Sequence, residues 1–269
     1  MGVGIDRNHG ANAAQGPEKG KEKVPVTKTV EVRNSEELKD ALANAESGTK
    51  IRLADGVYEG NFSLKGKSGV TIEGSKNAVI KAGTDGGYAL HLENSNNNTL
   101  KGFTVSGGEK GIMLDGSSDN LLDGLTVKDT GHEAIHFRNN SSNNQLQNSF
   151  IDNTGLTDPG FGEGVYIGSD PENVANDQSN GNMIINNVFG PNVRAENIDI
   201  KEGTSGGIIH SNTFNGTGLS GVHFASSVVD VKNNTEGYVF TDNLKIGGGQ
   251  GITFALGGPG QNSVDGNLV

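Results

Sequence analysis

The sequence predicts an all-β chain: a single-domain parallel β-helix, or solenoid, opened by one short helix. Three observations predict it. Glycine supplies 43 of 269 residues, about 16% against a usual share of about 7%. Short pulses of two apolar residues separated by one other recur along nearly the whole chain, which is the alternation of a strand. The pulses are also spaced: equivalent apolar residues at 112, 135, 165, 198, 229 and 252 stand 23, 30, 33, 31 and 23 apart. A short base period with loop insertions fits three short strands and three turns per rung.

Composition closes other classes. There is no Gly-X-Y period and only 6 Pro, so collagen is excluded. No apolar run approaches the ~20 residues of a membrane helix, and no membrane partner is expected. The absence of Cys removes a disulfide framework, a thiolate zinc site and a Cys nucleophile. With 21 basic against 32 acidic residues the net charge is -11, which argues against nucleic acid as a partner. A propeller needs four strands per repeat, and the leucine-rich consensus is missing.

In chain order, residues 1–28 are rich in Gly, Asn, Lys and Glu with no apolar core for a signal peptide, and they read as a flexible tail. The β-helix domain is placed at 29–269. Thr29-Val-Glu-Val32 alternates as a strand. Asn34 then caps a helix, Glu37 completes a capping box, and Leu38, Ala41, Leu42 and Ala45 share one face. That helix is expected to cover the open apolar end of the first coil. Lys50-Ile-Arg-Leu53, Gly56-Val-Tyr58 and Val70-Thr-Ile72 are further strands.

From about residue 88 a two-part unit recurs. Its first strand is Gly111-Ile-Met-Leu114, Ala134-Ile-His-Phe137, Gly164-Val-Tyr-Ile167, Asn197-Ile-Asp-Ile200, Val228-Val-Asp-Val231 and Gly251-Ile-Thr-Phe254. The second, punctuated by Asn, includes Leu100-Lys-Gly-Phe103, Leu146-Gln-Asn-Ser-Phe150 and Ile185-Asn-Asn-Val188. Asn and Gly suit tight corners, and stacked Asn side chains can bond rung to rung. The chain stops at Val269 within a strand-like Asn-Leu-Val, so self-association through the open last coil is expected.

Rungs stacked ~4.8 Å apart turn equivalent residues into columns. The outward residue between the apolar pair reads Met113, His136, Tyr166, Asp199, Asp230, Thr253. Two residues on, the column reads Asp115, Arg138, Gly168, Lys201, Lys232, Ala255. Two residues before the first apolar residue it reads Lys110, Glu133, Glu163, Glu196, Ser227, Gln250. Carboxylates in register repel one another, so this clustering of charge on the middle rungs points to a working wall. Its candidate groups are the acid or base residues Tyr166 and His136, and Arg138, Glu133, Asp199 and Asp230 as substrate-binding groups. Insertions after Asn153 and Ser169 are placed to wall a cleft beside it.

Residues 29–269 resemble the pectin-lyase-like superfamily of right-handed parallel β-helices, with Ser35-Glu-Glu-Leu-Lys-Asp-Ala-Leu42 and Ile51-Arg-Leu-Ala-Asp-Gly-Val-Tyr58 similar to its first coil. Locally, Glu196-Asn-Ile-Asp-Ile-Lys201 is similar to the Glu-x-Ile-x-x-Lys stretch of calcium-dependent chondroitin and alginate lyases. The resemblance implies Lys201 as base, Glu196 as a calcium ligand with Glu163 from the rung before, and Lys232 where the family has an assisting Arg. A second family Glu is replaced by Arg194, which can neutralise the uronate carboxylate that calcium would otherwise hold. The implied function is β-elimination on an acidic, uronate-containing polysaccharide, the cofactor calcium, with no nucleotide or redox cofactor, and the location extracellular or periplasmic. The chemistry fits such residues: removing the proton α to a carboxylate needs the carboxylate neutralised and a base within reach.

Gly131-His-Glu-Ala-Ile-His136 contains the His-Glu-x-x-His of zinc proteases. That chemistry needs a helix so that both His face one metal, whereas here the match straddles a turn and a strand. Two alternatives to a lyase stand on the same scaffold. A glycoside hydrolase would pair Asp199 with Asp230, or Glu163 with Glu196. A non-catalytic carbohydrate-binding or adhesive β-helix would need a stacking platform, for which the chain has no Trp and 4 Tyr.

Overall fold

The computed structural model describes residues 24–84, 86–170, 172, 176–255 and 261–269. The tail expected over 1–28 lies outside those residues as far as 23. The described chain is a parallel β-solenoid of about nine turns with three sheets and one short helix. One sheet has ten strands, from Lys28–Val32 to Ser263–Asp265. A second has eight, from Phe62–Lys65 to Gln250–Phe254, and forms the wall read from the sequence. The third has eight, from Gly56–Glu59 to Leu244–Ile246. The wall begins with Phe62–Lys65, one rung before the repeat read from about residue 88, and Tyr88–Glu93 is its second strand.

The Asn-punctuated strand of each unit is two strands in different sheets. Gln145–Gln147 is followed by Asn148 at φ 53 and then Phe150–Asp152. Met183–Ile185 is followed by Asn186 at φ 54 and then Val188–Phe189. A residue in the left-handed region swings the chain out of one sheet into the next, and Asn or Gly takes that conformation at least cost. Ile184 and Phe189 therefore fill the core, and Ile185 does not.

Stacked Asn side chains hold the corners together. The Asn98, Asn120, Asn144 and Asn182 amides bond in sequence at 3.1, 3.0 and 3.2 Å. A second ladder joins Asn187, Asn212, Asn243 and Asn267 at 3.0, 3.0 and 2.7 Å. Each amide also takes backbone groups of the neighbouring rungs, as where Asn120 Nδ2 donates to the Ser95 carbonyl at 3.0 Å. Buried polar groups are thereby satisfied in a corner that offers no regular sheet partner.

Helix α1 (Ser35–Ala43) starts where expected. Asn34 Oδ1 accepts from the Glu37 amide at 2.9 Å, and the Glu37 carboxylate accepts from the Arg33 amide at 2.7 Å. Leu38 and Leu42 are buried in the common core, with Ala41 packed against it. Within the wall sheet the register matches the columns. Met113 lies opposite His136, His136 opposite Tyr166, Tyr166 opposite Asp199, Asp199 opposite Asp230, and Asp230 opposite Thr253. Their inward neighbours Ile112, Ile135, Val165, Ile198 and Val229 are fully buried, each contributing roughly 1.5–3 kcal/mol of burial.

Candidate active site

Many outward residues of the middle rungs do not meet open water. Met113, Glu133, His136, Glu163, Glu196 and Asp199 are each 5% exposed or less. Long neighbours lie across them, and the charges sort into three networks.

In the first, Arg138 donates to both oxygens of Asp115 at 2.6 and 3.1 Å, and His91 and Asn139 reach the same carboxylate at 2.8 and 2.7 Å. Burial pushes this carboxyl up, but the hydrogen bonds from His91 and Arg138 outweigh it and hold Asp115 well below its usual range. Arg138 is thus engaged within the protein rather than held out toward a substrate.

In the second, Lys110 Nζ donates to Glu133 at 2.8 Å and to His136 Nδ1 at 3.3 Å. His136 Nε2–H donates to the Gly168 carbonyl at 2.8 Å. Burial lowers the His136 value, with Glu133 opposing, and both ring nitrogens are committed. Its ring meets Tyr166 edge-on at 4.5 Å. Burial opposes ionisation of Glu133, but His136 and Lys110 bring it down to about 2. His136 and Glu133 are therefore buried and paired within the protein, with the His136 ring against Tyr166.

The third network faces outward. Lys201 Nζ lies 5.3 Å from the centre of the Tyr166 ring and 3.6 Å from Asp199. Lys232 Nζ bonds Asp230 and lies 3.7 Å from Asp199, and Thr253 donates to Asp230 at 3.1 Å. Burial pushes the Tyr166 phenol up, reinforced by Asp199 and Glu163, so it keeps its proton. Burial disfavours the Lys232 ammonium, but Asp199 and Asp230 outweigh it and hold the group charged, above the usual lysine range. Asp199 is raised to about 6 by burial, with Lys232 and Lys201 opposing.

Gly168 makes room for this arrangement. Its φ is 91, and a Cβ there would stand 2.8 Å from Thr204 Cγ2 and 3.1 Å from Lys201 Cβ. Between the second and third networks runs the Glu column. Glu196 is raised to about 7, first by burial and then by Asp199. Glu163 is driven well above the usual range by burial and by Glu133 and Asp199, and its Oε2 has no hydrogen-bond partner.

Arg194 stands apart from the networks, exposed on the loop before Ile198–Ile200. Among the described residues no three of His, Cys, Asp and Glu gather to hold a metal ion, and His132 and His136 of the zinc-like motif follow a turn and a strand. Lys110 stood in its column without an assigned role, and the columns started at Met113, one rung after His91. Charge complementarity with Glu133 and Asp115 was the available signal for both.

A protein-family model described as "Periplasmic copper-binding protein (NosD)" matches residues 20–226. No curated protein matches the chain significantly. Among solved structures, an alginate lyase from Paenibacillus sp. str. FPU-7 is similar at 40% identity and TM-score 0.77, over 81% of this chain and 76% of that one. Pectate lyase Pel9A is similar in fold at 16% identity and TM-score 0.67, over 84% of this chain and 64% of that one. So is PfbA, a surface adhesin of Streptococcus pneumoniae, at 13% identity and TM-score 0.53, over 79% and 74%. Copper would ask for thiolate, thioether or imidazole donors. There is no Cys, Met113 is sealed from solvent and no imidazole cluster exists among the described residues, so these residues do not fit a copper site.

Proposed function

The chain belongs to the NosD family of right-handed β-helix proteins, and we propose that it is a polysaccharide lyase cleaving an acidic, uronate-containing glycan by β-elimination on the wall of the coil. One observation carries the reading: Lys201 Nζ is seated 5.3 Å over the Tyr166 ring, with the Lys232 cation one rung further on. A base, an acid and a fixed positive charge thus lie within three rungs, in a chain 40% identical to an alginate lyase. That likeness makes alginate the first substrate to try.

Each group has a task. Lys201 Nζ takes the proton α to the uronate carboxylate. The electron pair forms the ring double bond, the bond to the glycosidic oxygen breaks, and the Tyr166 hydroxyl donates its proton to that oxygen. Lys232 faces the carboxylate, so that the charge developing on abstraction is neutralised. Asp199, between the two lysines, and Asp230 orient them. His136 fixes the ring of Tyr166 from below.

A hydrolase would pair Asp199 with Asp230, or Glu163 with Glu196. Lys232 bonds Asp230 and lies beside Asp199, which favours the lyase over the first of these pairs. An extracellular or periplasmic location follows from a polymeric substrate and agrees with the periplasmic description of the family. No helix among the described residues is long and apolar enough to cross a membrane.

The test is ultraviolet absorbance on mixing the protein with alginate, pectate and chondroitin, with calcium and with chelator. An unsaturated-uronate band is expected. Calcium at Glu163 and Glu196, which the resemblance implies, is read in the same assay; because the wall supplies its own cations, the account expects chelator to leave the band in place. New reducing ends without the band would replace the lyase by a hydrolase.

A further inference from the structure

Beside the wall, at the edge where each rung enters it, the loops of four successive rungs are stitched together. Leu156 and Thr157 amides donate to the Thr130 and Gly131 carbonyls at 3.0 Å each. The Ala195 amide donates to Gly162 at 3.1 Å, and the Ser220 amide to the Arg194 carbonyl at 2.8 Å. Ser220 Oγ reaches back to the Pro159 carbonyl at 3.2 Å. These bonds fix one ring or cation from each loop into a shelf. Phe161 and His223 stack at 5.1 Å with 26° between their planes, and His132 stands 5.8 Å from Phe161.

The shelf is built rather than incidental. The turn Pro159–Phe161 is capped by Asp158, which accepts from the Gly160 amide at 2.9 Å. A Cβ on Gly160 would lie 2.1 Å from the His223 ring, so only glycine lets the imidazole rest on the turn. His223 itself is held at φ 51, a left-handed conformation that non-glycine residues adopt at a cost and that concentrates at ligand clamps. Yet the shelf stays open to solvent. Phe161 is 47% exposed, Leu156 54% and Val222 41%, an apolar patch of the kind that marks a binding surface. Arg194 is exposed beside it, its Cβ against Gly162.

We infer that this shelf is a glycan subsite, separate from the reacting residues, for a uronate polymer. The occupant follows from the chemistry. A pyranose presents an apolar face of C–H groups that suits Phe161 and His223, and its carboxylate suits the Arg194 guanidinium. Phe161 is five residues before Tyr166 on the same rung, so a chain bound at Tyr166 and Lys201 extends over the shelf at one side. The aromatic platform that the composition, with no Trp, left unsupplied is built here from a Phe and a His. The identity of the glycan rests on the lyase reading; the existence of the subsite rests on the stack.

The experiment measures the Kd of the whole protein for an alginate hexasaccharide by calorimetry, alongside cleavage of alginate. Phe161→Ala is expected to weaken binding at least fivefold and to raise KM for the polymer, and Phe161→Tyr to stay within twofold of wild type. His223→Gly removes the second ring while accommodating its positive φ, and should weaken binding in the same direction if Phe161→Ala fails to fold. Cleavage with hexasaccharide affinity unchanged in both ring-removing variants overturns the subsite and leaves the lyase. Binding weakened by the variants but no cleavage by the wild type supports the subsite and overturns the lyase. Neither cleavage nor binding overturns both. Loss of self-association in Phe161→Ala, with glycan affinity unchanged, assigns the shelf to protein contact and also overturns the subsite.

Discussion

Gly168 and Lys201 follow one another in the same column, and a Cβ on Gly168 would stand 3.1 Å from the Cβ of Lys201. The glycine therefore sets how the lysine leaves the sheet and crosses Tyr166. Gly168→Ala strains a φ of 91 and presses on Thr204 as well as Lys201. The expected result is a loss of roughly 1–3 kcal/mol in stability and a fall in kcat larger than that in Lys232→Arg, read by denaturation and steady-state kinetics.

Tyr166→Phe keeps the ring on which Lys201 and His136 rest and removes only the proton donor. Turnover of alginate should fall by about 10²–10⁴ while hexasaccharide affinity changes little. A variant that turns over at the wild-type rate would remove Tyr166 from the chemistry.

The buried carboxyls make stability fall as pH rises. Glu196 is moved from 4.5 to about 7 and Asp199 from 3.8 to about 6, with Glu163 also raised well above its ordinary value. Each binds its proton more tightly folded than unfolded. The stability it lends is complete below the unfolded value and disappears as pH rises through the folded one. For Glu196 the displacement corresponds to roughly 3 kcal/mol. Glu133, lowered to about 2, acts oppositely, and its share is lost only as pH falls below about 4. Glu163→Gln should thus raise the denaturation midpoint at pH 8 and do so much less at pH 5; equal effects at both would contradict the assignment.

The Asn ladder supports every rung it crosses. Asn144 Oδ1 accepts from the Asn120 amide and side chain, each at 3.0 Å, while its Nδ2 donates to Ser117 and Asn182 at 3.0 and 3.2 Å. Asn144→Ala strands buried partners above and below, with an expected loss of about 2–4 kcal/mol. The same change at exposed Asn233 should cost well under half as much, measured by the same denaturant titration.

The columns of the wall were legible because two features of the chain agree: a period of two places Tyr166 and Asp199 outward, and parallel stacking places them opposite one another. Burial of those columns was not legible. It depends on Lys110 and Lys201 lying back across the sheet, a choice of side-chain path that alternation does not encode. Corner residues such as Asn148 and Asn186 were visible as punctuation, but not as the point where one strand becomes two. The Phe161 and His223 stack was beyond sequence reasoning for a plainer reason. It is assembled by a bond between Ser220 and Pro159, 61 residues apart, across loops that break the repeat.

The most direct test of the account is the ultraviolet time course of alginate with wild-type protein and with Lys201→Ala, each shown by calorimetry to bind the hexasaccharide. The account predicts a growing unsaturated-uronate band for the wild type, and a rate at least about 10² lower for Lys201→Ala with binding retained. A band that grows equally fast in the variant would contradict the assignment of Lys201 as the base on which the mechanism turns.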